Sequence, residues 1–231
     1  MKLERPVSIS IIIPTLNEAE HIRSTLEPLQ AMRKRGHEIV LADGGSNDDT
    51  VPAAIPMIDK HLQCNTGRAM QMNAGAEQAR GDIFWFIHAD TLVQPDMDKE
   101  LLAARITSKS RWGRFDVSLS GNQTSLRIIE RMMNWRSRFT GIATGDQGIF
   151  ICRSLFERIG GFPSQPLMED IEISIRLKKA AGKPLCLHSK ILTSSRRWES
   201  RGIARTIFLM WRLRLAYALG ANPADLARQY Q

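Results

Sequence analysis

Cysteine is scarce: Cys64, Cys152 and Cys186 are the three in 231 residues. They are odd in number, widely spaced and without a CxxC pair, which excludes a disulfide framework and a thiolate zinc site and points to a reducing compartment. Aromatics are few, 6% of the chain. With no helix-turn-helix, zinc-finger or RNP-like pattern, nucleic acid is not an expected partner. No run of about 18 uncharged apolar residues occurs, so no transmembrane helix is expected. The first apolar run, Val7 to Ile13, ends at Pro14 and is too short for a signal peptide. The expected setting is cytoplasmic, with peripheral work at the inner face of a membrane as an extension.

What is present is an ordinary globular balance, 43% hydrophobic and 24% charged. That is enough to bury a core and too apolar for intrinsic disorder. The formal net charge is +8, and many of the arginines fall after Arg105. With nucleic acid set aside, such a surplus suits a phosphorylated ligand or an anionic membrane surface.

Val7 to Ile13 is β-branched and bounded by prolines, the mark of a buried strand. Asn17 is expected to cap the next helix, with Ile22, Leu26 and Leu29 along one face. Glu38 to Ala42 reads as a second strand running into the turn-rich loop Asp43 to Thr50, and His61 to Cys64 as a short third. Gly67 to Arg80 is helical in pattern, interrupted unfavourably by Gly75. Ile83 to Ile87 (IFWFI) is a buried strand, and Arg114 to Ser120 suggests a strand of different orientation. Thr124 to Phe139 and Glu169 to Ala181 read as helices, Gly148 to Cys152 and Lys183 to His188 as strands. One last helix is expected over Arg201 to Leu219, closed by Gly220 and Pro223. Strands alternating with helices make βαβ units and a largely parallel sheet.

In open α/β sheets, ligands bind at the carboxyl ends of strands. Three such ends carry unusual chemistry: Pro14 to Glu18, Asp43 with Gly44, Gly45, Ser46 and Asp48, and His88-Ala89-Asp90. A fixed carboxylate there can accept hydrogen bonds from a base or ribose, although Asp43 to Asp49 equally suits an acidic turn and helix cap. Asp90 follows a fully apolar strand, where a lone carboxylate is costly unless paired. A divalent cation bridging it to diphosphate oxygens would satisfy it; capping the next turn through Thr91 is the alternative.

The order IIIPTLNEAEHI, DGGSNDDT, GRAMQMNAGAEQARGD, HAD, GIFICRSLFERIGGF and MEDIEISIRLKKAAG resembles a family-2 inverting glycosyltransferase of the GT-A fold, over about residues 8 to 188. The ending SSRRWESRGIARTIFLMWRLRLAYALG resembles a bacterial selenodomain-associated or arsenosugar-type subgroup. This resemblance implies that Pro14, Asn17 and Glu18 line the nucleotide pocket. It implies that Asp43 binds the base, that Ser46 shapes its loop, and that Arg68 lies near the sugar or phosphates. Asp90, the last acid of the DxD element, would hold Mg²⁺ or Mn²⁺. His88 stands where that element usually begins with Asp; it could bind a ribose hydroxyl or a softer ion such as Mn²⁺, and it removes a negative charge. Arg197-Trp198 resembles the end of a QxxRW element, with Ser194 in place of the Gln, and would grip the diphosphate together with Arg196. Asp170, the second acid of the ED pair, would be the general base, with Glu169 orienting the acceptor. His188 is a further candidate ligand or a structural residue.

The resemblance therefore implies metal-assisted transfer of a sugar from a nucleotide-sugar, with a UDP-sugar as the expected donor class, to an acceptor hydroxyl, the Ser108 to Gly145 segment forming much of the acceptor side. A sugar nucleotidyltransferase is a weaker fit, since its Gly-rich loop after the first strand is absent. A non-catalytic nucleotide-sugar or membrane-surface module fits poorly with both Asp90 and Asp170 present. Residues 1–200 are expected to form the GT-A domain. Residues 201–231 would be a helical extension packed on the domain, on a homodimer partner or on a membrane surface.

Overall fold

The computed structural model describes residues 6–230, the side chains of Arg197, Ser200 and Arg201 excepted. The chain runs β1 (Ile9–Thr15), α1 (Ile22–Lys34), β2 (Glu38–Asp43), α2 (Thr50–Ala54), β3 (Lys60–Gln63), α3 (Arg68–Gln78), β4 (Ile83–Phe86), α4 (Met97–Ser108) and β5 (Trp112–Leu119). It continues through α5 (Thr124–Thr140), β6 (Phe150–Cys152), α6 (Arg153–Arg158), α7 (Glu169–Ala181), β7 (Leu185–Thr193), α8 (Arg196–Arg201), α9 (Ile203–Ala218) and α10 (Pro223–Tyr230).

The strands form one seven-stranded sheet in the order β3-β2-β1-β4-β6-β5-β7. β3, β2, β1 and β4 are mutually parallel, β6 runs against both β4 and β5, and β5 pairs parallel with β7. The reversed strand is thus β6. β5, expected to differ in orientation, runs with the majority, because side-chain alternation reports which face is buried and carries no strand direction.

Alternation along β1 builds both halves of the core. Ile9, Ile11 and Ile13 join Ile22, Leu26, Leu29 and Met32 of α1 on one face. Ile12 packs on the other with Phe84 and Phe86 of β4, Leu155 and Phe156 of α6, and Ile173 and Leu177 of α7. Each such side chain contributes roughly 1.5–3 kcal/mol on burial. Gly75 has a packing reason: a Cβ there would lie 2.5 Å from Ile12 Cγ2, so its absence lets α3 lie close on β1.

Three other local expectations change. Asn17 is no helix cap: it adopts φ 54°, and α1 begins at Ile22. Asn tolerates this left-handed conformation, and its side-chain oxygen is used elsewhere. The helix expected over Arg201 to Leu219 forms as α9 from Ile203, but Gly202 (φ 80°) separates it from a short α8 that drew no expectation, and α10 follows at Pro223. These C-terminal helices fold back over the rim of the sheet. Ile203, Ile207 and Trp198 pack on Leu119, Leu126 and Ile129, while Leu213 and Leu226 pack on Met168.

Candidate active site

The carboxyl ends of β1 and β2 are held together before any ligand arrives. Gln71 of α3 donates from Nε2 to the carbonyls of Thr15 (2.7 Å) and Ala42 (3.0 Å). The loop after β1 is stitched to the loop after β2. The Asn17 N–H donates to Ser46 Oγ, and the Asn47 N–H donates to Asn17 Oδ1, both at 2.9 Å. The Glu18 N–H donates to Thr50 Oγ1 at 2.7 Å and the Ala19 N–H to Asp48 Oδ2 at 3.2 Å. Asp43 is 2% exposed and organises its own loop, accepting from the N–H groups of Gly45 and Ser46 and from Ser46 Oγ. Asn17, Asp43 and Ser46 therefore spend their side chains on joining and shaping these loops, Asp43 buried, Ser46 half-buried and Asn17 exposed.

In front of them opens a cavity of about 1010 Å³. Its wall brings together Pro14, Glu18, Arg68, His88, Asp90, Glu169, Asp170 and Trp198, eight of the candidate residues from five separate segments. Arg196 is also on the wall, whereas the Arg197 side chain lies outside the described residues. His188 is not on it: it sits 86% exposed in a bulge between β5 and β7, with Nδ1 2.9 Å from Arg138 Nη2.

Charge is unevenly spread in this cavity. Burial, and then the Asp90 carboxylate, push the Glu18 carboxyl above its usual range, while Arg196 opposes the shift. Two carboxylates thus face one another at the ends of β1 and β4, an arrangement a divalent cation relieves. Among the described residues no three His, Cys, Asp or Glu side chains cluster as a ready-made cage. That suits Mg²⁺ or Mn²⁺, which commonly bind one or two carboxylates and take their remaining ligands from substrate phosphate and water.

On the opposite wall α7 begins. Glu169 is 4% exposed, with Oε1 3.4 Å from Arg68 Nη1. Burial and the neighbouring Asp170 push the Glu169 carboxyl up, and Arg68 pulls it down. The partner of Arg68 at the start of α3 is therefore a protein carboxylate, which offsets the unfavourable positive helix end there. Asp170 accepts the backbone N–H of Gly145 at 3.1 Å through Oδ2, and that of Ile171 at 2.8 Å through Oδ1. His88 Nδ1 lies 3.5 Å from Asp146 Oδ1, and its Nε2 is buried without a hydrogen-bond partner among the described residues.

Several wall residues carried no readable signal. Gly145 sits in a turn where Thr144 and Gln147 form a capping box. TGDQG, with turn residues ahead of an apolar strand, is the pattern that could have drawn attention to it. Arg136 of α5 and Arg214 of α9 also reach the cavity. In sequence they are two among many arginines, and only the fold makes them neighbours.

Comparison with known proteins bears on the family and the fold. Over 104 residues, 42% of this chain, it is 32% identical to an uncharacterised glycosyltransferase of Mycobacterium tuberculosis, 39% of which is matched. The chain spans about two fifths of the length of the first curated relatives it matches. S. aureus TarS 1-349, solved in complex with UDP-GlcNAc, superposes with a TM-score of 0.64 at 19% identity, covering 81% of this chain and 58% of that one. The mannosyltransferase PcManGT of Pyrobaculum calidifontis, solved with GDP-Man and Mn²⁺, gives 0.65 at 21%, covering 90% and 60%. Residues 10–159 match the family description "Glycosyl transferase family 2", and the chain belongs to that family.

Proposed function

We propose that this protein transfers a sugar from a nucleotide-sugar to an acceptor hydroxyl, with inversion at the anomeric carbon. The observation that carries the reading is the single cavity uniting the Glu18–Asp90 pair at the strand ends with the Glu169–Asp170 pair at the start of α7. One pair suits the donor's charged half and the other suits proton removal.

The donor's base and ribose lie against Pro14 and Glu18, on the loops that Asn17, Asp43 and Ser46 hold in place. Asp43 backs the base. The diphosphate lies toward Asp90, with Arg196 and Arg197 as its guanidinium partners and Trp198 beside them. Mn²⁺ or Mg²⁺ at Asp90, when bound, neutralises the charge that grows on the departing diphosphate. His88 braces the Gly145–Asp146 turn, and Arg68 holds Glu169 at the sugar.

Asp170 takes the proton of the acceptor hydroxyl as its oxygen bonds to the anomeric carbon. The bond from that carbon to the diphosphate oxygen breaks, and the nucleoside diphosphate leaves with the electron pair. Glu169 orients the acceptor. On the ending SSRRWESRG we place the chain in the selenodomain-associated or arsenosugar-type subgroup, a placement that fixes no substrate.

The test is turnover and donor hydrolysis over a panel of UDP- and GDP-sugars, with and without Mn²⁺, paired with calorimetry on Asp90→Ala. We expect one donor to be consumed in a metal-dependent way, and its metal-dependent binding to vanish in the variant. Donor binding unchanged in Asp90→Ala overturns the metal assignment. The absence of any nucleotide-sugar binding overturns the function.

A further inference from the structure

Two guanidinium groups within electrostatic reach of one another line the cavity, Arg136 from α5 and Arg214 from α9. Nη2 of Arg136 and Nε of Arg214 are buried without a hydrogen-bond partner among the described residues. Two like charges in a partly desolvated wall repel one another, and each buried N–H left unmade carries a desolvation cost. Burial first, and then the Arg214 charge, bring Arg136 down to about 10. An oxyanion seated between them removes both penalties at once.

The Asp170 and Asp146 carboxylates both act on Arg136, which puts that guanidinium toward the α7 end of the cavity. The two arginines thus accompany the proton-accepting end of the cavity.

The mouth on that side is apolar. Met132 and Trp135 of α5 and Met210 and Trp211 of α9 line it. From it two exposed stripes lead outward: Ile128, Met132, Trp135 and Phe139 on α5, and Phe208, Trp211, Leu215 and Leu219 on α9. Spacings of three and four put each set on one helix face. Trp135 is 71% and Trp211 64% exposed, and Trp135 stacks on Phe139 at 5.8 Å. Arg205 and Arg212 border the α9 stripe by the same spacing, and both are exposed. Exposed apolar residues continuous with a cavity, bordered by cations, match a ligand with an anionic head and an apolar chain.

We propose that the acceptor is an anionic amphiphile whose phosphate or carboxylate seats between Arg136 and Arg214 beside Asp170. Its apolar chain leaves over Met132, Trp135, Met210 and Trp211 onto the stripes of α5 and α9. The inference rests on the glycosyl-transfer reading and names the acceptor class for it. The head group fixes the molecule, and a hydroxyl near it meets Asp170.

Calorimetry on the full chain tests this with three probes: inorganic phosphate, monomeric decyl phosphate, and vesicles of phosphatidylglycerol set against phosphatidylcholine. UDP with Mn²⁺ reports the donor side separately. Decyl phosphate is expected to bind roughly tenfold or more tighter than inorganic phosphate, since even partial burial of the alkyl chain adds apolar contact that the free anion lacks. Arg136→Gln with Arg214→Gln is expected to weaken decyl phosphate by at least about tenfold, the scale of two charge-assisted hydrogen bonds, while UDP affinity stays as in the parent. Arg214→Gln alone, a half-buried position on an outer helix, serves if the double variant melts early.

UDP affinity falling in step with decyl phosphate would assign the arginines to the donor diphosphate and overturn the proposal. Equal affinity for inorganic and decyl phosphate would remove the amphiphile. Vesicle binding without monomer binding would leave only a surface contact and would equally overturn it. Failure of UDP and every UDP- or GDP-sugar to bind the parent protein would overturn the glycosyl-transfer reading itself, whatever decyl phosphate does.

Discussion

Gly145 and Asp170 are 25 residues apart in sequence and joined by one hydrogen bond, from the Gly145 N–H to Asp170 Oδ2 at 3.1 Å. A Cβ at 145 would lie 2.6 Å from His88 Nε2. Gly145→Ala should therefore push His88 aside and drag the Asp170 carboxylate with the turn. We expect kcat to fall by roughly 10–10²-fold, as small misplacements of reacting groups do, with the melting temperature little changed. Steady-state kinetics beside a thermal melt checks this; an unaltered kcat would detach the turn from the chemistry.

Asp170→Asn keeps the size and acceptor capacity of the side chain but removes its basicity. Transfer should slow by about 10²–10⁴-fold, the usual contribution of a positioned base, with donor affinity nearly intact. Glu169→Gln is the comparison. Glu169 is 4% exposed and engaged by Arg68, so its loss should raise the acceptor KM more than it lowers kcat. Near-parental turnover in Asp170→Asn would move the base to Glu169.

His37 offers a pH test away from the site. Its Nδ1 accepts the Ile9 N–H at 3.3 Å and its Nε2 lies 3.0 Å from Asp98 Oδ2, in a position 7% exposed. Burial, aided by Arg35 and opposed by Asp98, lowers its pKa. A folded-state pKa below the unfolded value near 6.5 means that protonation favours the unfolded chain. Stability should be full above about pH 6.5 and fall as the pH drops through the folded value. Asp98 is also lowered, the Arg35 guanidinium outweighing burial, but that loss comes only below the ordinary carboxylate range. Melting curves from about pH 7.5 to 5 should slope downward in the parent and flatten in His37→Gln. Equal slopes would exonerate His37.

The outer face of α9 predicts salt-sensitive flotation with vesicles of anionic lipid, since exposed Phe208, Trp211 and Leu215 adjoin Arg205 and Arg212. Replacing Phe208 and Trp211 with Ser should abolish flotation without lowering the melting temperature. Absence of flotation in the parent, together with a concentration-dependent dimer, would give that face to a second copy of the chain.

Much of this was legible in the chain itself. Strands such as IFWFI show because β-branched and aromatic runs are buried on both faces, and α7 matches Glu169 to Ala181 because acids open it and Gly182 ends it. Asp90 stands out because a carboxylate beside an apolar run needs a reason, whereas Glu169 and Asp170 read as ordinary helix-start acids without the family resemblance. The direction of β6 does not show, since it depends on pairing across the sheet. Nor does the short helix α8 ahead of Gly202, whose paired arginines read as a basic loop. α4 follows a stretch that carries no site residue and drew no expectation. Arg136 and Arg214 stay anonymous until α9 folds back beside α5.

The reversal of β6 has a further effect. The chain leaves the sheet at Leu119 and re-enters at Phe150 on the same rim, because β5 and β6 are antiparallel. The returning segment is pinned to β5 where Asn134 pairs with the Val117 backbone and Glu130 accepts the Leu119 N–H, and its freedom to vary lies on the opposite, exposed face of α5. The donor loops hang on β1, β2 and β4, while Met132, Trp135 and Arg136 hang on this returning segment. On the proposed reading, acceptor choice is open to change through the exposed face of α5, provided that Gly145 and Asp146, which hold Asp170 and His88, are kept.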